Sequence, residues 1–214
     1  MSRGTCALVI GTHLLVATAW AEAQSLTILQ NDNYTSGAFT CNSSLGQEET
    51  LAARFTASPA DYPYTIDRIQ VLGCSSTEGF FTVEIWQDDA DTLSPGPSIW
   101  TTGTAWALPA GVTFHEIILS AEASPPPLIT SGTVRVALID VLLGGFGFGV
   151  DSAVTPHRNF VRRSPTFAWE YAESSSVSGD WILRLAIFPA GPPDLTFVDG
   201  FESGDTSAWS ASVP

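Results

Sequence analysis

Hydrophobic and polar residues alternate along much of this chain, in the pattern typical of β-strands. Phe81, Val83 and Ile85 would lie on one face of a strand, and their neighbours on the other. Strand signals recur in the segments 51–57, 65–72, 80–86, 114–119, 133–140 and 181–188. No long window keeps the period of about 3.6 residues that marks an amphipathic helix, so we expect isolated helical turns at most.

The alternation slips once within the segment 65–72. Ile66, Ile69 and Val71 favour a strand, but the apolar positions change phase near Arg68. One extra residue at that point would restore the alternation, so the pattern allows a β-bulge in this strand.

Turn-forming residues separate the predicted strands. Proline and glycine punctuate the segments 94–97 and 108–111, and Ser124 is followed by a run of prolines. Such a run cannot continue a helix or a central strand, because proline has no backbone N–H group to donate. Many short strands bounded by turns predict an all-β fold, a two-sheet antiparallel sandwich of the jelly-roll kind.

The N-terminus carries the features of an export signal. Arg3 provides a positive charge, an apolar stretch covers residues 7–20, and Ala21, Glu22 and Ala23 fit a small-x-small cleavage pattern. A transmembrane anchor is the alternative, but this stretch is shorter than the ~20 residues that span a bilayer. We therefore predict no membrane span in the mature chain. The predicted parts are a signal peptide over 1–23, a β-sandwich domain over 24–189, and a linker and tail over 190–214.

Charge narrows the range of partners. The net charge is −14 at pH 7, and the sequence contains no lysine. Nucleic acid and anionic membrane surfaces need clustered cations, so neither is an expected partner. Arg158, Arg162 and Arg163 form the one basic cluster, which we expect to pair with nearby carboxylates.

The cysteines predict one disulfide. Cys6 would leave with the signal peptide, so that Cys41 and Cys74 remain as a pair in an oxidising compartment. A disulfide between them would close a loop of about 30 residues, which would stabilise the fold by roughly 3–4 kcal/mol in the chain-entropy model. Two buried free thiols are the alternative.

Three motifs follow one another along the chain. A strand over 82–89 ends in acidic residues, a Pro-Gly-Pro loop follows at 95–97, and a Gly-x-Trp-x-x-Arg pattern lies at 179–184. This order resembles that of the jelly-roll accessory domains found in secreted bacterial proteins, over roughly residues 50–188. The resemblance implies the same fold, and together with the export signal it implies a place outside the cell or at a bacterial cell surface.

The C-terminal tail has a motif of its own. Residues 199–205 are Asp-Gly-Phe-Glu-Ser-Gly-Asp, and a Gly-Pro-Pro-Asp linker at 191–194 precedes them. The motif resembles a C-terminal element shared by predicted secreted proteins of Gram-negative bacteria, which implies sorting or processing of the tail. An inert tail is the alternative, and the sequence leaves both open.

The sequence offers no recognisable catalytic motif. It has no Gly-x-Ser-x-Gly elbow, Gly-rich phosphate loop or Cys-x-x-Cys pair, and His115 has no second histidine one helical turn later. The strand 84–88 resembles the Glu-x-Asp strand of jelly-roll endoglucanases, but Trp86 takes the place of the central aspartate. We therefore expect no enzymatic activity, and a glycoside hydrolase is only the third hypothesis.

Acidic residues at the end of that strand are candidate metal ligands. Asp88, Asp89 and Asp91 lie close enough in sequence to converge on Ca²⁺, a cation that takes about six to eight oxygen ligands. The alternative is a solvated hairpin loop, which the sequence favours because no further ligands can be named. Apart from this Ca²⁺, no cofactor is expected.

Aromatic residues near turns are the candidate ligand-binding residues. Trp106, Trp169 and Tyr171 lie near turns or in weak strand patterns, where a ring could stay exposed and stack on a sugar. Burial between the sheets is the alternative for each of them. Trp100 and Trp181 are expected in the core.

These observations leave two main hypotheses. The first is a secreted, non-catalytic module that binds a glycan or another surface ligand through loop aromatics and acidic residues. The second is a structural cell-envelope protein without a ligand pocket. A strip of exposed rings would favour the first, and complete burial of those rings would favour the second.

Overall fold

The computed structural model describes residues 25–35, 38–42, 45–88, 92–140, 146–175, 177 and 179–190. The predicted signal peptide and the motif at 199–205 lie outside these ranges, so both stay predictions. Within the described ranges, a search for helices long and apolar enough to cross a membrane found none.

The described residues fold almost entirely into β-strands, with single-turn 3-10 helices at Pro59–Asp61, Leu119–Ala121 and Ala172–Ser174. The strands, in chain order, are β1 (Thr27–Gln30), β2 (Thr40–Asn42), β3 (Thr50–Thr56), β4 (Tyr64–Ser75), β5 (Gly79–Asp88), β6 (Ser98–Thr101), β7 (Trp106–Leu108), β8 (Gly111–Ile118), β9 (Thr133–Asp140), β10 (Phe148–Val150), β11 (Asn159–Arg163), β12 (Ala168–Tyr171) and β13 (Leu183–Pro189). Each segment with a strand signal contains a strand. The strands without such a signal have at most five residues, too few for alternation to stand out.

The strands form two antiparallel sheets, which confirms the predicted all-β sandwich. In the six-stranded sheet the order is β1-β13-β4-β10-β2, and β8 also pairs with β4. In the seven-stranded sheet the order is β12-β11-β3-β9-β5-β6, and β7 also pairs with β5. Most neighbours in this order are far apart in sequence, so long-range pairing determines which side chains share a face.

The inner faces of the two sheets enclose the main hydrophobic core. Phe81, Val83 and Ile85 of β5 are completely buried there, as their alternation predicts. The inward positions of β9 and β13 are buried in the same core: Val134, Val136, Leu138, Leu183, Leu185 and Ile187. Trp100 and Trp181 also lie in this core, as expected. Burying one such large apolar side chain stabilises the fold by roughly 1.5–3 kcal/mol.

Strand β4 contains a β-bulge at the point where the sequence pattern allows one. Ala186 of β13 pairs with Arg68, but the next residue, Ile187, pairs with Ile66, so that Asp67 is the extra residue. The Asp67 carboxylate accepts hydrogen bonds from Arg68 Nε at 2.6 Å and Ser120 Oγ at 2.7 Å. The bulge therefore lets Ile66 and Ile69 both enter the core while an aspartate finds polar partners between them.

Cys41 of β2 and Cys74 of β4 form the predicted disulfide. Strand β10 pairs with both β2 and β4 and is preceded by Gly147. A Cβ added to Gly147 would lie 2.6 Å from the Cys41 Sγ atom, so only glycine fits beside the bridge. The described part of the glycine-rich segment 144–149 is therefore close-packed.

Loss of this disulfide is expected to destabilise the fold. The bridge closes a loop with a sequence separation of 33. In the double variant Cys41→Ser, Cys74→Ser the unfolded chain regains the corresponding entropy, so the free energy of unfolding should fall by about 3–4 kcal/mol. Urea unfolding followed by tryptophan fluorescence measures it. Equal stability of the disulfide-bonded wild type and the double serine variant would contradict the prediction.

His115 of β8 is a buried histidine without a hydrogen bond at Nε2. Its ring faces Phe146 with a centroid distance of 6.2 Å, and a Cβ added to Gly73 would collide with it. Burial lowers the pKa of the His115 imidazole from its ordinary value, because the charged form loses its hydration.

Stability is therefore expected to fall at mildly acidic pH. The unfolded chain takes up a proton at His115 near pH 6.5, whereas the folded chain holds the ring neutral to lower pH, so protons favour unfolding below about pH 6.5. The difference in unfolding free energy between the wild type and His115→Leu should change between pH 7.5 and 5, by up to about 1.4 kcal/mol per unit. A difference that stays constant over this range would contradict the assignment.

Candidate functional site

The outer face of the seven-stranded sheet, which points away from the main core, carries aromatic rings and arginines in adjacent rows. Because side chains alternate between the two faces of a strand, cross-strand partners share a face. One row runs across β12, β11, β3 and β9 through Trp169, Arg162, Thr50 and Ile139. A second row contains Tyr171, Phe160, Ala52 and Ala137, and a third contains Arg54, Arg135 and Trp86.

A buried ion cluster lies at one end of this face. The Asp88 carboxylate accepts hydrogen bonds from Arg54 Nε at 2.8 Å and from Arg135 Nε at 3.0 Å. Both guanidinium groups also donate to backbone carbonyls, of Thr92 and Leu93 among others. Burial lowers the pKa of Arg135 from its ordinary value, and the contact with Asp88 opposes that shift.

This cluster gives Asp88 a structural role. Its side chain is completely shielded from solvent and is bound by two cations. Asp89 and Asp91 lie outside the described residues, so the predicted Ca²⁺ site at these three aspartates stays a prediction as a set. In the part of the chain that the structure describes, no group of three or more His, Cys, Asp or Glu side chains could hold a metal ion. A glycosidase needs two accessible carboxylates, and the Asp88 carboxylate is shielded from solvent, so it does not fit that role.

Aromatic rings form a second, smaller hydrophobic cluster on the outer face. Trp169 meets Trp86 edge-on at 5.6 Å, and Tyr171 lies 5.4 Å from Phe160. The alanines of the second row leave space for the Trp169 ring to reach across the sheet, and Arg135 lies 3.6 Å from the Phe160 centroid. Trp169 and Tyr171 are therefore half-buried, neither free rings nor core residues.

The structure brings two of the three candidate ligand-binding residues together. Trp169 and Tyr171 both belong to β12 and share the outer face. Trp106 lies elsewhere, because it pairs with the inward-facing Phe81 and packs against the main core. Its indole N–H donates to Glu122 Oε1 at 2.9 Å, which satisfies the ring's only donor.

A shallow cleft opens beside Trp169. It has a volume of about 320 Å³ and is lined by Glu48, Ile139, Arg162 and Phe167. We call it the outer-sheet cleft. Arg162 and Ile139 belong to the first row, whereas Phe167 lies in the turn between β11 and β12 and is 38% exposed. The Phe167 N–H donates to the Arg163 carbonyl at 2.8 Å, which closes this turn and holds the ring at the rim.

Arg162 differs from the other arginines of this face. Arg54 and Arg135 are each paired with a carboxylate, but the Arg162 side chain forms neither a salt bridge nor a hydrogen bond with any described residue. Its guanidinium lies 5.5 Å from the centroid of the Trp169 ring. The expectation that this arginine pairs with a nearby carboxylate is therefore wrong, because an aromatic face takes that position instead.

Two polar atoms beneath the cleft have no partner. Arg162 Nε and Thr50 Oγ1 are both buried, and neither forms a hydrogen bond with any described residue. The two residues are direct cross-strand partners, so both atoms lie in the same part of the first row. Buried polar atoms are nearly always paired in folded proteins, so this part of the face has unmet hydrogen-bonding capacity next to a cleft.

None of the four residues that line the cleft was a candidate site residue from the sequence, and Arg162 was identified only as part of a basic cluster. Glu48 and Ile139 reach the cleft through pairing between distant strands. One local signal was present: Phe160 and Arg162 alternate on one strand of a hairpin, and Trp169 and Tyr171 alternate on the other. Read as a hairpin, this segment predicts that all four side chains share one face.

Comparison with known proteins finds structural likeness of low degree. No protein-family model matches this chain, and no curated protein does. One similar solved structure is a variant of the clostridial cysteine protease Cwp84 after propeptide cleavage, with a TM-score of 0.49 and 8% identity, covering 77% of this chain and 40% of that chain. Another contains the cysteine protease and lectin-like domains of Cwp84, a surface layer associated protein of Clostridium difficile, with a TM-score of 0.44 and 9% identity, covering 68% of this chain and 33% of that chain. This chain spans less than half the length of either structure, and likeness of this degree supports no inference about ligand or activity.

Proposed function

We propose that this chain is a non-catalytic binding module that takes a glycan in the outer-sheet cleft. The observation that carries the proposal is Arg162, a cation that lies on an aromatic ring at an open cleft and has no carboxylate partner among the described residues. An arginine kept in this state loses the stabilisation that a salt bridge would give, and binding of a polar ligand would restore it.

The mixture of groups in the cleft favours a sugar over an apolar ligand. A pyranose ring has an apolar C–H face and a rim of hydroxyl groups. Phe167 and Ile139 offer apolar surface, and Arg162 and Glu48 offer a donor and an acceptor within the same space. The volume is at the lower end of the range of about 300–1,000 Å³ for small-molecule sites, so we expect it to hold one or two sugar units.

The proposed place of action is outside the cell. The Cys41–Cys74 disulfide supports an oxidising compartment, and the predicted signal peptide at 1–23 agrees with it. Export is tested by expression of the full chain with a C-terminal tag, followed by mass determination of the secreted form. A mature start at Gln24 is the expected result, and a full-length chain retained in the cytosol would contradict it.

Glycan binding is tested with an oligosaccharide array, followed by titration of each hit into the purified protein with calorimetry. Phe167→Ala and Arg162→Gln should each weaken binding by tenfold or more, since each removes a contact worth about 1.4 kcal/mol or more. Phe114→Ala is the matched control, because Phe114 is also 38% exposed but belongs to β8 of the other sheet. A folded protein that binds no glycan, or equal losses in Phe114→Ala and Phe167→Ala, would overturn the proposal.

A structural role without a ligand is the second candidate. It is favoured by the partial burial of Trp169 and Tyr171, which pack against Trp86 and Phe160 and stabilise the outer face. Trp169→Ala separates the two functions, because a purely structural ring affects stability alone. If the chain is a binding module, Trp169→Ala should bind the glycan more weakly even under conditions in which the variant stays folded.

A further inference from the structure

We infer that the outer-sheet cleft selects neutral glycans over glycans that carry carboxylate groups. The inference rests on the proposed function, and it concerns the chemical class of the ligand. It follows from the two oppositely charged side chains that line the cleft, Arg162 and Glu48. Arg162 Nε is buried and has no hydrogen bond to any described residue.

Arg162 by itself would point to an acidic sugar. It is a cation in a chain of net charge −14, and arginine binds carboxylates through parallel hydrogen bonds. The guanidinium carries only donors, so a uronate carboxylate could accept two parallel hydrogen bonds from it. If the cleft contained no other charge, an acidic glycan would be the expected ligand.

Glu48 changes this expectation. It lines the same cleft, it is exposed, and its carboxylate forms neither a salt bridge nor a hydrogen bond with any described residue. The backbone holds it in place, because its N–H donates to the Asp140 carbonyl at 2.7 Å at the start of the segment that leads into β3. A second negative charge in the cleft would face this carboxylate across a small volume, which is unfavourable.

A neutral sugar matches both groups at once. Each hydroxyl both donates and accepts, so neighbouring hydroxyls can donate to Glu48 and accept from Arg162. A carboxylate only accepts, so a uronate at the same position would satisfy Arg162 and leave Glu48 both unpaired and repelled. The Glu48 carboxylate thus accepts a hydrogen bond from a hydroxyl but repels an acidic ligand. Binding sites discriminate between close analogues by such a combination of attraction and repulsion.

The inference is tested by calorimetric titration of the intact protein with oligosaccharides of equal length. The neutral probes are hexamers of glucose, mannose and galactose, and the acidic probe is hexagalacturonate. The wild type is expected to bind at least one neutral hexamer about tenfold or more tightly than the acidic one. Glu48→Gln removes the repulsion and keeps the side-chain volume, so it should lower that preference at least severalfold by improving acidic binding.

Two control variants make the result specific. Arg162→Gln should weaken binding of every hexamer, because it removes the shared donor. Glu116→Gln removes the same charge from β8 on the opposite sheet and should leave the preference unchanged. A wild type that binds hexagalacturonate as tightly as the best neutral hexamer, or a preference that Glu48→Gln does not change, would overturn this inference alone. Failure to bind any hexamer or array glycan would overturn the proposed function and the inference with it.

Discussion

Replacing Asp88 with asparagine is expected to lower the free energy of unfolding by about 3–5 kcal/mol. The substitution keeps the shape of the side chain but removes the only carboxylate described in contact with Arg54 and Arg135. Two guanidinium groups would then remain buried side by side without this shared carboxylate, and Arg135 is completely inaccessible to solvent. Urea unfolding at pH 7 measures the effect.

The matched control for this prediction is Glu116→Gln, which breaks an ion pair on the surface. Glu116 binds Arg68 at 3.0 Å, but its side chain is 42% exposed, so water replaces the lost contact. The expected loss is within about 1 kcal/mol. If Asp88→Asn lost no more than this control, the buried cluster would not have the importance assigned to it. Repeating both measurements with Ca²⁺ also tests the predicted metal site, since a bound ion would raise the wild-type stability.

Gly179→Ala is expected to be the most damaging small substitution, with a loss of about 3 kcal/mol or more, or no folded protein. Gly179 has a φ of +116°, a conformation that residues with a side chain rarely adopt. An added Cβ would also lie 1.8 Å from the Asp151 carbonyl oxygen, so the backbone itself would have to move.

Moving the backbone at Gly179 would also displace the next residue, Asp180, and disturb its hydrogen bonds. Asp180 is buried, and its carboxylate accepts hydrogen bonds from Thr155 and from Asn159 Nδ2 at 2.6 Å. Burial raises the pKa of this carboxyl, and the hydrogen bonds from Thr155 and Asn159 oppose that shift by stabilising its ionised form. Gly103→Ala is the control, because a Cβ there meets nothing within 4 Å. Thermal unfolding of the two variants should separate them clearly, and similar melting temperatures would contradict the argument.

The parts of the fold that could be predicted from the sequence are those with a local signal. Alternation located β5, β9 and β13, since a half-buried strand must place every second side chain in the core. The phase slip near Arg68 allowed a bulge, and the structure has one at Asp67. The disulfide followed from the pairing of the two cysteines expected in the mature chain.

The remainder depends on pairings between distant segments. Nothing near Asp88 in sequence shows that Arg54 and Arg135 will enclose it, because that contact exists only once β3, β9 and β5 are neighbours. The aspartate was therefore predicted as a loop residue and a candidate Ca²⁺ ligand. Long-range register decides between a solvated carboxylate and a buried one, and single-sequence patterns do not contain it.

The candidate site could be predicted only in part, because it too depends on pairing between distant segments. Trp169 and Tyr171 were identified from ring type and proximity to turns, and the structure places both on the outer face of the sheet, although neither is among the residues described as lining the cleft. Trp106 has the same local features but pairs with Phe81 and turns toward the core. Glu48 and Ile139 belong to separate segments, and only the assembled sheet brings them to Arg162.

The central claim is that the outer-sheet cleft is a glycan site, and the most direct measurement is a titration followed by NMR. Amide and indole N–H signals of the labelled protein are recorded while the tightest-binding oligosaccharide is added. Shift changes concentrated at Glu48, Ile139, Arg162, Phe167 and the Trp169 indole are the predicted result. Changes confined to the six-stranded sheet, or a spectrum that no oligosaccharide alters, would contradict the account.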